Sequence, residues 1–325
     1  MQNIHIEHAP VRFAPYLKSV IWGGTKICIY KNIACQARNI GESWEVSAVP
    51  GHESVVESGT YAGMTITQLI DMFGAQLLGR GVCEKYGNKF PLLIKLIDAA
   101  DNLSVQVHPN DRLAMTRHNS PGKNEMWYII ATDKNARIYS GLKIEMTPDE
   151  YTRRVADGTF AETLAVHDSH AGDVFFLPAG RVHAIGAGNL LAEIQESSDI
   201  TYRIYDYDRR DSSGNPRELH TQQAKDAIDF NVYDDYKSLT VSDSEKCARI
   251  ASCSHFVVDR VLVDGETALS FDKDSFTVLM CVDGKVAVNY TTGRTEIEKG
   301  HTVLCPAVLD SITVSGKGTL LVVQA

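Results

Sequence analysis

Four residues in three separated segments of the sequence have side chains that bind transition metals in proteins: Gln106, His108, Glu125 and His183. They offer two imidazoles, one carboxylate and one amide oxygen. This set suits a tetrahedral or expandable zinc site with room for a substrate oxygen. A single His on an apolar strand is more often structural than a ligand, so no one residue carries the prediction. The joint occurrence of the spacing H-x16-E and a Gly-Pro-Gly-His corner favours a metal site.

The segment that contains the first two candidates alternates polar and apolar residues as Ser104-Val-Gln106-Val-His108. A strand's period of two places Ser104, Gln106 and His108 on one face and both valines on the other. Because an apolar run at 90–97 precedes this strand, we interpret the polar face as the interior of a ligand-holding barrel.

The other two ligands have their own positioning signals. Lys123 and Glu125 are two residues apart at the start of the next apolar strand, so both charged side chains are expected on the same face of that strand. At 172–183 a Gly turn, a strand and a Pro-Gly corner bring His183 to a defined place.

Most of the sequence reads as short strands separated by Gly, Asp and Asn turns, a spacing that favours an antiparallel sandwich or barrel. The clearest predicted strands are 90–98, 103–108, 125–131, 173–178, 190–195 and 201–207. Three helices interrupt them. Thr65 with Gln68, and Thr147 with Pro148, form helix start signals, and Thr221 is the predicted cap of a third helix that runs toward residue 228.

A polar stretch at 232–246 predicts a connector between two domains, at 1–235 and 240–325, which agrees with the usual length of about 150 residues per domain. The later region reads as strands with tight turns such as Asp283-Gly284. Residues 172–179 resemble residues 300–307, which suggests a duplicated barrel. The same alignment places Ser311 where the first barrel has His183, so the second domain is predicted to bind no metal.

Bulk properties exclude several classes of protein. The net charge is −9 and the sequence pI is near 5.7, which leaves no broad basic surface for nucleic acid or anionic lipid. We find neither a signal-peptide core nor a stretch of membrane-spanning length, so a cytoplasmic protein is expected. Seven Cys without a CxxC pair predict reduced thiols rather than disulfides.

The two metal-binding segments resemble the paired motifs of the cupin superfamily, with Gln106 in place of the first His and an unusually long gap before Glu125. Together with LSVQVHPND, PGKNEMWYII, LPAGRVHAIGAG, IWGG and GESWEVS, they resemble the short bacterial form of type I mannose-6-phosphate isomerases. The resemblance covers roughly residues 12–225. It implies a mainly β fold of two cupin-like jelly-roll barrels with a few inserted helices.

The resemblance also implies roles for individual residues. Zinc, one ion per chain, would be held by His108, Glu125 and His183 with Gln106 as a fourth ligand. Residues of the pocket, by the same resemblance, are Arg203, Asp199, Ser104, Lys95 and Lys123. Longer family members carry a lysine shortly after the arginine, whereas this chain reads Ile204-Tyr-Asp-Tyr-Asp-Arg209-Arg210, so the group that replaces it stays open.

The implied reaction interconverts mannose 6-phosphate and fructose 6-phosphate through an enediol. Zinc with Arg203 or Lys123 would stabilise the developing negative charge, and Asp199 is a candidate for ring opening. The phosphate needs a cationic clamp, for which Arg203, Lys123 and Arg181 are candidates. Lys95 lies in an apolar strand and must reach a polar cavity or a partner.

Two other functions remain open at this point. Two His and a carboxylate also form the facial triad of Fe(II) oxygenases, although Gln106 would occupy a position that oxygen chemistry keeps free. A non-catalytic sugar-binding cupin with a structural metal is the other alternative. The expected partner is a small sugar phosphate, with no nucleic acid and no membrane, and the oligomeric state is not predicted.

Overall fold

The structure, a computed structural model, describes residues 5–35, 37–210, 214–242 and 244–325. In chain order its strands are β1 (Val11–Ala14), β2 (Tyr16–Gly24), β3 (Ile40–Val46), β4 (Val55–Val56), β5 (Leu92–Asp98), β6 (Val105–Val107), β7 (Glu125–Thr132), β8 (Arg137–Leu142), β9 (Leu164–Asp168), β10 (Asp173–Leu177), β11 (His183–Ile185), β12 (Asn189–Glu196), β13 (Tyr202–Tyr205), β14 (Leu239–Thr240), β15 (Cys247–Ser252), β16 (Val257–Ser270), β17 (Thr277–Tyr290), β18 (Gly293–Glu298), β19 (Thr302–Cys305) and β20 (Ser311–Gln324). Its α-helices are α1 (Lys26–Tyr30), α2 (Ile66–Phe73), α3 (Ala75–Leu78), α4 (Arg80–Tyr86), α5 (Asp111–His118), α6 (Pro148–Ala156) and α7 (Thr221–Ala227).

Two antiparallel sheets build the part of the chain that contains the predicted site. One has the strand order β14-β10-β7-β12-β5-β3-β2 and the other β13-β6-β11-β8-β9. Trp127 and Phe175 of the first sheet pack against Ile138 and Ile185 of the second, so the two sheets face each other across an apolar core. Hydrogen bonding does not close these described sheets into a ring. The prediction of a mainly β, jelly-roll-like fold is confirmed.

A third sheet contains the later strands in the order β15-β16-β20-β17-β19, with β18 paired to β17. The N-terminal strand β1 joins this sheet, where Val11 pairs with Leu304. The predicted domain division between residues 235 and 240 stays a prediction. The prediction of a turn at Asp283-Gly284 is wrong, because β17 continues through both residues. The pairing of β17 with β20 shifts its register between Cys281 and Asp283.

The sequence signals at the helix starts are largely confirmed. The Thr65 side chain accepts a hydrogen bond from the Gln68 N–H, and the Gln68 side-chain oxygen accepts one from the Thr65 N–H. Thr147 accepts from the Glu150 N–H ahead of Pro148. The third prediction is off by one residue: Thr221 is the first residue of α7, and the cap position belongs to His220, whose side chain makes no capping bond. No helix among the described residues is long and apolar enough to cross a bilayer.

The prediction that every thiol is reduced is wrong for one pair. Cys28 and Cys35 form a disulfide, with Cα atoms 5.9 Å apart. Helix α1 and the turn that follows it reverse the chain between these residues, which composition alone does not reveal. Of the free cysteines among the described residues, Cys281 and Cys305 are buried and Cys247 is exposed.

The two segments of the internal repeat adopt the same local structure. Gly172 and Gly300 have left-handed φ values of 87° and 85°, and each is followed by a strand of the same apolar pattern. Strand β10 pairs with β7, and β19 pairs with β17. This correspondence supports the proposed duplication of the two halves.

Candidate active site

Three of the predicted metal ligands meet inside the jelly roll. The ligand atoms of His108, Glu125 and His183 all lie within 4.8 Å of one another. The His183 Nε2 atom is 3.2 Å from one Glu125 oxygen, and the His108 Nε2 atom is 3.7 Å from the other. Because the three side chains are at most 2% exposed, water does not screen their charges.

Both imidazoles are oriented for binding through Nε2. The His108 Nδ1 atom lies 2.8 Å from the Ile200 carbonyl oxygen, and the His183 Nδ1 atom lies 2.9 Å from that of Arg181. A carbonyl only accepts, so Nδ1 is the donor and the Nε2 lone pair faces Glu125. Burial, then the charge of Lys123, lower the pKa of His108 and lower that of His183 to about 3. Both rings are therefore neutral, the form that binds metals.

The centre of this cluster fits a cation. Among the described residues, the Glu125 Oε1 and His183 Nε2 atoms are buried and have no hydrogen-bond partner. Each has a lone pair aimed at the other across 3.2 Å, an arrangement that is unfavourable unless a positive charge lies between them. Two neutral imidazoles and a carboxylate are typical zinc ligands.

Gln106 is placed by strand register beside the cluster. It lies directly opposite His183 on β11 and opposite Arg203 on β13. Directly opposed residues in an antiparallel pair project on the same face, so the Gln106 side chain shares the face of His183. Val105 and Val107 pack in the apolar cluster on the other face, as the alternation predicted.

Lys123 brings a positive charge to the ligands. Its ammonium contacts the Glu125 carboxylate and lies 3.0 Å from the His108 Nε2 atom. The side chain is buried, with 6% of its surface exposed. Burial, partly opposed by Lys123, raises the pKa of Glu125 to about 7. Lys123 and Glu125, which are two residues apart in the chain, thus lie on the same side and contact each other, as the sequence predicted.

A row of charged and indole side chains crosses the inner face of the larger sheet beside this cluster. Lys95 pairs with Glu193 on β12, and Glu193 pairs with Trp127 on β7. The Lys95 Nζ is 2.9 Å from Glu193 Oε1 and 3.7 Å from Glu42 Oε2. The Trp127 Nε1 donates to the other Glu193 oxygen at 2.9 Å. Lys95 has the buried partners that its apolar strand required.

Glu193 and Glu42 were not identified from the sequence. The available signal was the one used for Lys95: a lone charged residue inside the apolar strand 190–194. Burial alone would raise the pKa of Glu193, but Lys95 and Lys123 outweigh it and lower that pKa to about 2. The carboxylate is therefore ionised and balances the lysines.

Arg203 lies at the edge of the site among other charged groups. Its Nη1 donates to the Glu218 carbonyl at 2.9 Å, and its Nε is buried with no hydrogen-bond partner among the described residues. Burial and the neighbouring Arg217 lower its pKa. Asp206 binds Arg209 at 2.5 Å and Arg217 at 3.4 Å. Arg209 also lies 3.8 Å from Asp101, so the three arginines share the buried Asp206 with other acids at the rim.

The other predicted residues differ in their surroundings. Ser104 is buried immediately before β6, whereas Asp199 is exposed in the loop before Ile200. The contacts of the Arg181 guanidinium lie outside the ligand cluster: it donates to the Phe176 carbonyl and packs on the Tyr233 and Tyr236 rings. Arg181 reaches the cluster only through its backbone carbonyl, which faces His183 Nδ1, and among the described residues neither the Arg181 nor the Asp199 side chain has a contact with a ligand side chain.

Two facing antiparallel sheets around a buried His-Glu-His cluster define a cupin-type β-protein with a candidate metal centre. Residues 11–135 match the phosphomannose isomerase type I catalytic domain, and residues 247–325 match the mannose-6-phosphate isomerase cupin domain. Mannose-6-phosphate isomerase ManA of Bacillus subtilis is 34% identical over 96% of this chain and 98% of its own. The mannose-6-phosphate isomerase of Streptococcus mutans is 36% identical over 67% of each chain.

The structural comparison agrees over the whole length. The crystal structure of the mannose 6-phosphate isomerase from Bacillus subtilis superposes with a TM-score of 0.88 at 31% identity, and covers 97% of this chain and 99% of that one. The chain belongs to the type I mannose-6-phosphate isomerase family.

Proposed function

We propose that this chain interconverts mannose 6-phosphate and fructose 6-phosphate with one zinc ion per chain. The relatives that share its full length bear the name of this activity. The observation that carries the proposal is the buried cluster of His108, Glu125 and His183. Two atoms at its centre have no hydrogen-bond partner in the described part of the chain, and the Lys123 ammonium lies beside them.

The reaction moves a proton between C2 and C1 of the open sugar and passes through an enediol, whose oxygen carries developing negative charge. Zinc bound by Gln106, His108, Glu125 and His183 would supply Lewis-acid stabilisation of that charge. Lys123 is placed to donate a hydrogen bond to a substrate oxygen in the same region, in a site shielded from water. Preorganised cations of this kind lower the barrier without reorganisation.

Glu193 and Asp199 have different proposed roles. Both Glu193 oxygens are occupied, one by Lys95 and one by Trp127, so Glu193 holds the lysine in place rather than accepting a substrate proton. We propose Lys95 and Ser104 as substrate contacts on this side of the pocket. Asp199, exposed at the loop, is the proposed group for opening the sugar ring.

The phosphate would bind at the group of arginines. Arg203 offers an Nε without a hydrogen-bond partner among the described residues, and Arg217 and Arg209 add positive charge on either side of Asp206. We propose that these two arginines take the place of the lysine found in longer family members. We propose Arg203 as the main phosphate contact. Arg181, whose contacts lie outside the cluster, is the weakest candidate for this clamp.

A coupled assay that follows fructose 6-phosphate from mannose 6-phosphate tests the proposal directly. Activity should disappear with a chelator and return with zinc. His183→Ala should lose both bound metal and activity while it stays folded, whereas His170→Ala, at an exposed histidine, should keep both. A wild-type protein that holds zinc but leaves mannose 6-phosphate unchanged would favour the non-catalytic sugar-binding alternative. Iron dependence with oxygen uptake would favour the oxygenase.

A further inference from the structure

One histidine in a turn of the third sheet contacts two carboxylates near the site, Glu196 at the end of β12 and Asp111 at the start of α5. His255 lies in the turn between β15 and β16, where the Cys253 N–H donates to the Phe256 carbonyl at 3.0 Å. Its Nδ1 atom is 3.1 Å from Glu196 Oε2 and its Nε2 atom is 3.6 Å from Asp111 Oδ2. Only 15% of the imidazole surface is exposed. The ring therefore sits between two acids that come from other parts of the chain.

Each of these acids uses its other oxygen to hold the segment that carries Lys123 and Glu125. Glu196 Oε1 accepts from the Asn124 backbone N–H at 2.8 Å and from the Asn124 side chain at 2.6 Å. Asp111 Oδ1 accepts from the Gly122 N–H at 2.8 Å. The two residues on either side of Lys123 are thus anchored by the two carboxylates that flank His255.

The same anchor reaches the other two ligands through backbone contacts. Asn124 Oδ1 accepts from the Ala179 N–H at 3.0 Å, in the corner that leads to His183. The next residue, Gly180, donates its N–H to the His108 carbonyl at 2.9 Å. A displacement of Asn124 would therefore shift the backbone next to all three ligands, His108, Glu125 and His183.

The two ring nitrogens of His255 face one carboxylate each. The Nδ1 atom contacts Glu196 at 3.1 Å in a geometry that is not aligned as a hydrogen bond, and the Nε2 atom lies 3.6 Å from Asp111. The imidazole therefore fills the space between the two acids and sets how they lie relative to each other.

Other polar and titratable groups lie against this turn. From α4, Lys85 donates to the Ser254 carbonyl, and the Tyr86 hydroxyl is buried with no hydrogen-bond partner among the described residues. Cys253 lies in the same turn, and the His255 N–H contacts its sulfur at 3.4 Å. Burial raises the pKa of Glu196 above its usual value, although the hydrogen bonds from Asn124 partly oppose this effect.

We propose that His255 is a positioning residue for the isomerase reaction: its imidazole bridges Glu196 and Asp111 and so holds Gly122 and Asn124, and with them Lys123 and Glu125, in place. The third sheet thereby helps to order the site from outside the pocket. This inference rests on the proposed function for its kinetic consequence, but not for its structural one.

His255→Gln tests the clamp, with Ser254→Ala as the matched control, because Ser254 is an exposed residue of the same turn. The first readout is amide hydrogen exchange at Gly122 and Asn124, resolved by fragmentation mass spectrometry. We expect exchange to quicken about 10-fold in His255→Gln and to stay unchanged in Ser254→Ala. The second readout is kinetic: kcat should fall about 10-fold with KM within twofold, the size typical of lost second-sphere support.

A second variant keeps the test informative should His255→Gln fail to fold. Asp111 is 57% exposed, and Asp111→Ala removes the acceptor of Gly122 directly. If His255 couples the two acids, exchange at Asn124 also quickens in this variant. If exchange changes at Gly122 alone, the coupling is refuted.

Other outcomes are equally decisive. Exchange and kcat of folded His255→Gln within twofold of wild type would overturn the proposal. Two metal ions per chain, one of them lost in His255→Gln, would replace the clamp with a cation site. A wild type that does not isomerise mannose 6-phosphate would refute the proposed function, while the exchange result would still decide whether the clamp exists.

Discussion

Lys95 and Glu193 stand directly opposite each other on adjacent strands, with 2.9 Å between the ammonium nitrogen and a carboxylate oxygen. Their side chains are 10% and 6% exposed. Both charges are desolvated, so each depends on the other to remain ionised beside the ligand cluster. Trp127 donates a hydrogen bond to Glu193, and Glu42 lies near the Lys95 ammonium.

Removal of one partner of this pair should destabilise the fold. Glu193→Leu leaves the Lys95 charge with the more distant Glu42 and takes the acceptor from Trp127. We expect the free energy of unfolding to fall by about 3 kcal/mol, measured by urea denaturation with excess chelator. The double variant Lys95→Met/Glu193→Leu should recover part of this loss. Asp149→Asn, at an exposed ion pair with Lys225, should leave the denaturation midpoint unchanged. A single variant as stable as wild type would contradict the prediction.

Arg203→Lys should weaken recognition of the phosphate. A lysine carries the same charge but lacks the fork of donors that the guanidinium presents. We expect kcat/KM for mannose 6-phosphate to fall about 10- to 100-fold, equivalent to one charge-assisted hydrogen bond, and inorganic phosphate to inhibit more weakly. Arg210→Lys is the control, because Arg210 is exposed and donates to the Gly214 carbonyl. Unchanged phosphate inhibition in Arg203→Lys would place the phosphate elsewhere.

The buried thiols should make the fold sensitive to alkaline pH. Burial raises the pKa of Cys281 and of Cys305 from 9.0 to about 12. Because the folded state disfavours the thiolate, the stability linked to each thiol is fully present below pH 9 and is lost as pH rises toward 12. Each thiol should contribute a slope of about 1.4 kcal/mol per pH unit in that window.

Other groups also titrate in this pH range, so the pH dependence of stability is compared between wild type and cysteine variants. Urea unfolding of wild type and Cys305→Ala between pH 9 and 10.5 should show a shallower decline in the variant. Cys247→Ala, at an exposed thiol, should have a slope closer to that of wild type. Equal slopes in wild type and Cys305→Ala would show that the buried thiol ionises freely in the folded state.

The Cys28–Cys35 disulfide predicts a definite thiol count. Unfolded without reductant, the chain should alkylate at five cysteines, and with reductant at all seven. Cys28→Ser should lower the free energy of unfolding by about 2 kcal/mol, because the bond restricts the unfolded chain over a short loop. The control is Cys83→Ser, which removes a cysteine outside the bond. Seven alkylated cysteines without reductant would refute the disulfide.

The local pattern of the sequence was sufficient for much of the site. The alternation around Gln106 and His108 set which residues share a face, since a strand places every second side chain together regardless of its neighbours. Parity likewise brought Lys123 and Glu125 together. Helix starts at Thr65 and Thr147 followed from side-chain bonds to nearby N–H groups, which are local interactions.

Tertiary structure decided what depends on strand register and on chain reversals. Glu193 meets Lys95 because β12 pairs with β5 in one particular register, and a shift of β12 by one residue would turn Glu193 to the opposite face. The pairing of β1 with β19 and the contact of His255 with Glu196 join residues more than fifty positions apart. Cys28 meets Cys35 only because the chain turns between them. The sequence by itself thus determined which side chains share a face of each strand. The folded structure determined which faces meet, because the energy of strand pairing depends on residues far away in the chain, which a local pattern does not reveal.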